Sequence, residues 1–214
     1  MIDPAAEALV RSHTRPMPVA FVPEVELYLA DELVPLWQAT EWRAAAPMPP
    51  PFWAFAWPGS QALARYLLDA PLIIRGKHVL DFGAGSGLAA IAAVRCGAAS
   101  VAAVDVDPLA AIVQRLNATL NSVSFSIHTG DATALEAAAE VIFAGDVCYE
   151  REPAAATLAW LRAQAARGAA VLLADPGRHY APTGDLDLLI TYDVPVLREL
   201  ESTDTKRTRI WRLL

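Results

Sequence analysis

The sequence predicts an α/β fold: a doubly wound, seven-stranded, mostly parallel sheet that closes with a C-terminal antiparallel hairpin. Three observations predict it. From residue 58 onward, apolar runs of strand length alternate with amphipathic stretches of helix length, the pattern of a parallel sheet covered by helices on both faces. One of the early apolar runs ends in a glycine loop, Asp81-Phe82-Gly83-Ala84-Gly85-Ser86-Gly87. The last two runs are joined by a short polar turn, which brings an antiparallel strand into the sheet.

The elements follow in order. Residues 1–51 are proline-rich and end in Pro47-Met48-Pro49-Pro50-Pro51. They read as an N-terminal extension lying over a main domain of residues 52–214. Within the extension, Pro23 to Trp42 carries Val25, Leu27, Leu29, Leu33, Leu36 and Trp37, enough for a short strand or helix. Gly59 to Leu68 reads as a helix and Lys77 to Phe82 as a buried strand. Leu88 to Cys96 is a helix and Ser100 to Asp105 a second strand. Pro108, well placed in a first turn, opens a helix with Leu109, Ile112, Val113, Leu116 and Leu120 on one face. Val123, Phe125 and Ile127 alternate as in a half-buried strand. Glu140 to Gly145 is a strand, Pro153 to Arg167 a helix, and Ala169 to Asp175 a strand. A helical turn is expected near Leu186 to Thr191. Strands over Val194 to Leu200 and Thr208 to Leu213, turning at Ser202 to Arg207, complete the hairpin.

The bulk properties narrow the function. A chain of 214 residues suits one domain. Its net charge is −7 and its pI about 5.0, and the only local basic cluster is Lys206-Arg207 with Arg209. Proteins that grip nucleic acid carry basic patches, so the expected partner is a small molecule or a protein segment, not nucleic acid. Mean hydropathy is +0.31, yet no run approaches the roughly 18 apolar residues of a membrane span. The opening Met-Ile-Asp-Pro lacks the pattern of a signal peptide. Two cysteines, Cys96 and Cys148, stand far apart and read as reduced thiols of a cytoplasmic protein. His13, His78, His128 and His179 lack ligand spacing, so no metal is expected.

The glycine loop follows a strand and opens a helix, the context of a nucleotide site. A dinucleotide fingerprint would be Gly-x-Gly-x-x-Gly. Here the third glycine comes one residue early, and Leu88 stands where it should be. Asp81, two positions before the first glycine, would face the charge of a pyrophosphate, whereas it suits a cationic ligand. The Asp-x-Gly-x-Gly arrangement resembles motif I of S-adenosylmethionine-dependent methyltransferases, which implies a Rossmann-like sheet with S-adenosyl-L-methionine as cofactor. Asp105 ends the next strand, about 20 residues on, where a carboxylate accepts ribose hydroxyls. Asp107, before Pro108, reads as a helix cap. Asp131 after Gly130 is either an adenine contact or a turn residue. The candidate cofactor residues are Trp57, Asp81, Gly83, Ala84, Gly85, Asp105, Asp131 and Gly145. Trp53 and Phe55 read as core.

Beyond the strand that ends at Gly145 stand Asp146 and Tyr149. Their Asp-x-x-Tyr spacing echoes the Asp-Pro-Pro-Tyr motif of enzymes that methylate planar amino groups, but the prolines are absent. It is closer to the Asp-x-x-Tyr of protein lysine methyltransferases. Several segments align in order: the aromatic run from Pro51 to Trp57-Pro58-Gly59, the glycine loop, Val104 to Pro108, Gly145 to Tyr149, and Asp175-Pro176-Gly177-Arg178. Together they resemble the electron transfer flavoprotein β-subunit lysine methyltransferases, in a bacterial version. Residues 52–214 would then be a class I methyltransferase domain. The resemblance implies a protein substrate, with Asp146 and Tyr149 as catalytic residues: Asp146 holds the acceptor amine and Tyr149 frames its channel. Two other readings are weaker. One is a methyltransferase of the same fold acting on a ribosomal protein or a small amine. The other is an NAD-dependent oxidoreductase, which the early third glycine and Asp81 disfavour.

Overall fold

In the computed structural model, residues 3–134 and 139–214 are described. The first two residues, which enter the signal-peptide expectation, lie outside them. A helix α1 (Pro4–His13) leads into an antiparallel pair, β1 (Arg15–Val19) and β2 (Val22–Leu29), followed by α2 (Leu33–Ala44). The stretch expected to be a strand or a helix is thus both in succession. A short 3-10 turn at Phe52–Ala54 precedes α3 (Pro58–Asp69).

The main sheet is built from β3 (His78–Phe82), β4 (Ser100–Asp105), β5 (Ser126–Thr129), β6 (Val141–Gly145), β7 (Ala170–Asp175), β8 (Leu186–Pro195) and β9 (Thr205–Leu213). Its seven strands run in the order β5-β4-β3-β6-β7-β9-β8. All pairs are parallel except β7 with β9 and β8 with β9. The chain leaves β3 toward β4 and β5 and returns to the other side of β3 with β6. That reversal makes the carboxyl ends of β3 and β6 a topological switch point, where open α/β sheets bind ligands.

Helices α4 (Leu88–Arg95), α5 (Pro108–Leu120) and α6 (Arg151–Ala166) are the crossovers. Side chains alternate along each strand, and the core divides accordingly. Val79, Val101, Phe143 and Leu172 pack toward α3 and α4. Leu80, Val104, Ile142 and Leu173 pack toward α6 with Leu158 and Leu161. Among the described residues, no helix is long and apolar enough to cross a membrane.

The C-terminal hairpin forms, but its parts shift. Leu186 to Thr191 is strand, not a helical turn. It belongs to β8, the sheet edge, where Leu188 and Leu189 are exposed and the register slips between Leu188 and Ile190. That irregularity puts leucines on both faces and blurs the period of two. The strand expected over Val194 to Leu200 stops at Pro195, and a short helix α7 (Arg198–Glu201) takes its place. The turn expected over Ser202 to Arg207 is accordingly the connection 196–204. At β5, pairing starts only at Ser126; Val123 and Phe125 are spent on packing against the core before the ladder begins.

Residues 3–44 are fastened to the main sheet's helices. Val19, Val22, Val25 and Leu27 are fully buried in the cluster that holds α3 and α4, and Ala6 and Val10 of α1 join Leu109 and Ile112 of α5. Asn117 of α5 and Asn121 at its C-terminal cap, fully and nearly buried, satisfy the free edge of β2. The Asn117 side-chain oxygen accepts from the Tyr28 amide (2.7 Å) and its nitrogen donates to the Ser86 carbonyl (2.8 Å). Asn121 accepts from the Glu26 amide and donates to the Glu26 carbonyl. The hairpin is thereby tied to the glycine loop itself.

Candidate active site

The glycine loop turns through Gly83, Gly85 and Gly87, all with positive φ (64°, 50° and 81°). Side chains rarely adopt that conformation, so the glycines are what let the backbone leave β3 and enter α4 in so few residues. The Ala84 amide bonds to the carbonyl of Val104 at 3.0 Å, fastening the loop to β4. Gln114 of α5 donates to the Gly85 carbonyl (3.1 Å). Gly83 is exposed and Gly85 half-buried, so loop backbone is open to a ligand.

Asp105 lies beside this loop. One carboxylate oxygen accepts from the Gly85 amide (2.8 Å) and the other from the Asp107 amide (2.9 Å). A carboxylate has about four acceptor positions, so capacity remains for two hydroxyls of a bound ribose. Burial pushes its pKa up, opposed by these amides. Asp107 is the cap of α5, accepting from Leu109 (2.8 Å) as expected. Asp81 is only 4% exposed and accepts from the Ala90 amide (3.0 Å), one of the orphan donors of the first turn of α4. Burial pushes its pKa up to about 7. Asp131 is exposed, beyond the end of β5. One of its oxygens is engaged by the Thr133 amide and hydroxyl at 2.8 and 2.7 Å, a local turn that is compatible with either of the two roles expected for it, adenine contact or turn residue.

The second half of the site gathers at β6 and β7. Asp146 follows Gly145 with φ 57°, a left-handed conformation costly for a residue with a side chain. Its amide bonds to the Ala174 carbonyl (3.0 Å). Its carboxylate accepts from the Gly59 amide at 2.5 Å and from the Arg178 guanidinium at 3.1 Å. Gly59 and Gly145 explain how α3 comes so near. A Cβ on Gly59 would stand 2.5 Å from the Asp146 carboxylate and 2.8 Å from the Ala174 oxygen. A Cβ on Gly145 would stand 3.0 Å from the Ser60 amide. Burial raises the Asp146 pKa to about 7, with the charge of Arg178 opposing. A Cβ on Gly83 would meet Val147 at 3.3 Å, so the two halves adjoin.

Aromatic residues wall the site. Trp53 and Phe55 are buried, as expected of core, and the Trp53 backbone lies 3.9 Å from a Cβ position on Gly85. Trp57 donates its indole N–H to the Phe52 carbonyl (2.7 Å) and packs edge-on against Phe52 and Phe55. Its ring lies 5.7 Å from the Arg178 guanidinium, which joins it to the Asp146 half of the site. Tyr149 is 48% exposed, with its ring 5.3 Å from Phe52. Burial raises its pKa, so the phenol is neutral at ordinary pH.

Arg178 and Glu201 were not among the residues expected to act. Asp175, fully buried, folds the Asp-Pro-Gly-Arg turn by accepting from the Gly177 and Arg178 amides (2.7 and 2.6 Å). Arg178 then reaches Glu201 of α7 with two bonds, 3.0 and 2.5 Å. The motif had marked the spot as a family signature without assigning Arg178 a task. Nothing in the sequence around Glu201 sets it apart from the other charged residues of the hairpin. Among the described residues, no cluster of metal-ligating side chains occurs.

The chain resembles known proteins in sequence and in fold. A family model described as ribosomal protein L11 methyltransferase (PrmA) matches residues 62–146. The electron transfer flavoprotein β subunit lysine methyltransferase of Mus musculus is 33% identical, over 98% of this chain and 85% of that protein. The Homo sapiens protein of the same name is 37% identical, over 83% of this chain and 68% of its own. By contrast, ribosomal protein L11 methyltransferase of Aliivibrio fischeri is 49% identical over only 27% of this chain and 19% of its own. Among solved structures, magnesium protoporphyrin IX methyltransferase from Synechocystis with bound SAM superposes with a TM-score of 0.54 at 16% identity, covering 72% of this chain and 79% of that one. At that identity the likeness speaks for the fold alone.

Proposed function

The chain belongs to the electron transfer flavoprotein β subunit lysine methyltransferase family, and from that premise we propose that it moves a methyl group from S-adenosylmethionine to lysine on the β subunit of electron transfer flavoprotein. The observation that carries the reading is Asp146 at the switch point, its side chain only 10% exposed and held by Gly59 and Arg178 beside an aromatic rim. The cofactor fits the other half: the open loop backbone at Gly83 and Gly85, and the spare acceptor positions of Asp105. When bound, it supplies a methyl group on an electrophilic sulfonium. Asp81 contributes by holding the start of α4, so that the loop keeps its shape.

The acceptor must arrive with a free lone pair. Lysine has a pKa of about 10.4, so neutralising it at pH 7 costs roughly 4–5 kcal/mol. Asp146 is a poor base for that step, because a bare anion favours the ammonium form. Its role is to accept a hydrogen bond from the amine and aim it. Tyr149 and Phe52 border the approach, and Trp57 walls the inner side. Rate then comes mainly from proximity and alignment.

A ribosomal-protein acceptor is the second reading, favoured by the family model over residues 62–146. That segment runs from α3 to Asp146 and leaves out β7 to β9, whereas the flavoprotein-methylating relatives align over nearly the whole chain. We also propose a cytoplasmic location, supported by two buried, unpaired thiols, Cys96 and Cys148.

The test is transfer from methyl-labelled S-adenosylmethionine to purified electron transfer flavoprotein of the same source. Label is expected on the β subunit and is expected to vanish when its target lysines become arginine. Asp146→Ala should abolish transfer while calorimetric cofactor affinity stays within a few-fold. Full turnover in that variant would refute the role of Asp146. No label with cofactor binding intact would turn the search to other acceptors.

A further inference from the structure

We infer that Arg178 is a positioning residue for methyl transfer: anchored on Glu201, it presents one guanidinium nitrogen to Asp146, so that the carboxylate meeting the acceptor amine is already charge-compensated. This rests on the reading of Asp146 as the group that orients the amine.

The geometry is specific. Arg178 makes two hydrogen bonds to Glu201 and one, at 3.1 Å, to Asp146. Its loop is held by the Asp175 carboxylate, and its guanidinium lies 5.7 Å from the Trp57 ring centre. Lys206 reaches Glu201 from β9 at 3.2 Å. Charges alternate from Asp146 to Arg178 to Glu201 to Lys206, with Asp175 and the Cys148 thiol also near Asp146. The Glu201 side chain is only 4% exposed, so this anchor is shielded from competing water. Bidentate pairing of this kind fixes direction as well as charge.

The chemistry gives the arrangement its purpose. A lone carboxylate beside the amine would hold it as ammonium, which has no lone pair to offer. A carboxylate paired with a guanidinium still accepts a hydrogen bond but attracts a proton far less. Without Arg178, Asp146 would itself take up a proton, since burial already lifts its pKa to about 7 against the opposition of Arg178. Loss of the guanidinium therefore works against both ionisation states the transfer needs, and each effect moves activity to higher pH.

The experiment follows the Asp146 carboxyl carbon by NMR through a pH titration, with Asp146→Asn assigning the signal. Wild type, Arg178→Lys and Arg178→Gln are compared. The wild-type midpoint is expected near 7. Arg178→Gln should raise it by about one pH unit or more, and Arg178→Lys, which keeps the charge, should leave it near wild type. An unmoved midpoint in Arg178→Gln, or a shift in Arg178→Lys as large as in Arg178→Gln, overturns the proposal. In methyl transfer, the acid limb of the kcat profile should move alkaline in Arg178→Gln and recover at high pH. An equal loss at every pH would mark a merely structural role. If wild type methylates no flavoprotein, the substrate assignment fails, while the titration still decides the case of Arg178.

Discussion

Asp105 illustrates how one side chain serves two ends. Its oxygens organise the loop by taking the Gly85 and Asp107 amides, and a carboxylate has acceptor capacity left for the ribose hydroxyls proposed for it. Asp105→Ala removes both at once. Hydrogen bonds to a charged group contribute about 1.5–3 kcal/mol each, so calorimetric affinity for S-adenosylmethionine should fall at least about tenfold. Asp131→Ala should change that affinity little, because its carboxylate is exposed and engaged by Thr133. Equal losses in the two variants would assign Asp131 the adenine contact. Asp105 and Asp146 stand out in the sequence because each closes an apolar run.

At the scale of elements, the contact between β2 and α5 is the least expected feature. A two-stranded hairpin is marginal alone, and here its free edge is closed by asparagine side chains in place of a third strand. Asn117 is fully buried and spans from the Tyr28 amide to the Ser86 carbonyl. Asn117→Ala leaves both groups unpaired in the interior, at a cost of about 1–3 kcal/mol. Denaturant unfolding should register that loss. Hydrogen exchange should quicken at the Tyr28 amide, and cofactor affinity should weaken because the loop loses a tether. Normal exchange at Tyr28 would mean that water or a neighbouring group replaces the bond. In the C-terminal hairpin, an edge strand with a register shift carries no clean alternation, so the sequence of β8 reads as a helical turn.

For the whole molecule, Asp81 and Asp146 make stability depend on pH. Both have pKa values near 7 in the folded chain, against about 3.9 unfolded. Between those values the folded state binds protons that the unfolded state releases. Stability therefore falls as pH rises through this window, and the loss is complete above about 7. Asp81→Asn removes one such proton. Relative to wild type, its stability should improve from pH 5.5 to pH 8, by on the order of 1 kcal/mol or more. Thermal melting of both proteins at the two pH values measures this. A constant difference between them would show that Asp81 stays ionised in the folded chain.

The parallel strands β3 to β7, the glycine loop and the acidic residues at the strand ends are legible in the sequence. These depend on local periodicity and on the backbone freedom of glycine, both of which are written in adjacent residues. It also marked Asp107 as a cap, because a cap and its helix are neighbours in the chain. The surroundings of Asp146 are set by long-range packing. Gly59, Arg178 and Glu201 come from α3, the loop after β7, and α7, and they converge because strand order and the crossing of α3 over β6 bring distant segments together. The state of charge at that carboxylate depends on burial and on partners far away in sequence, which no local pattern encodes.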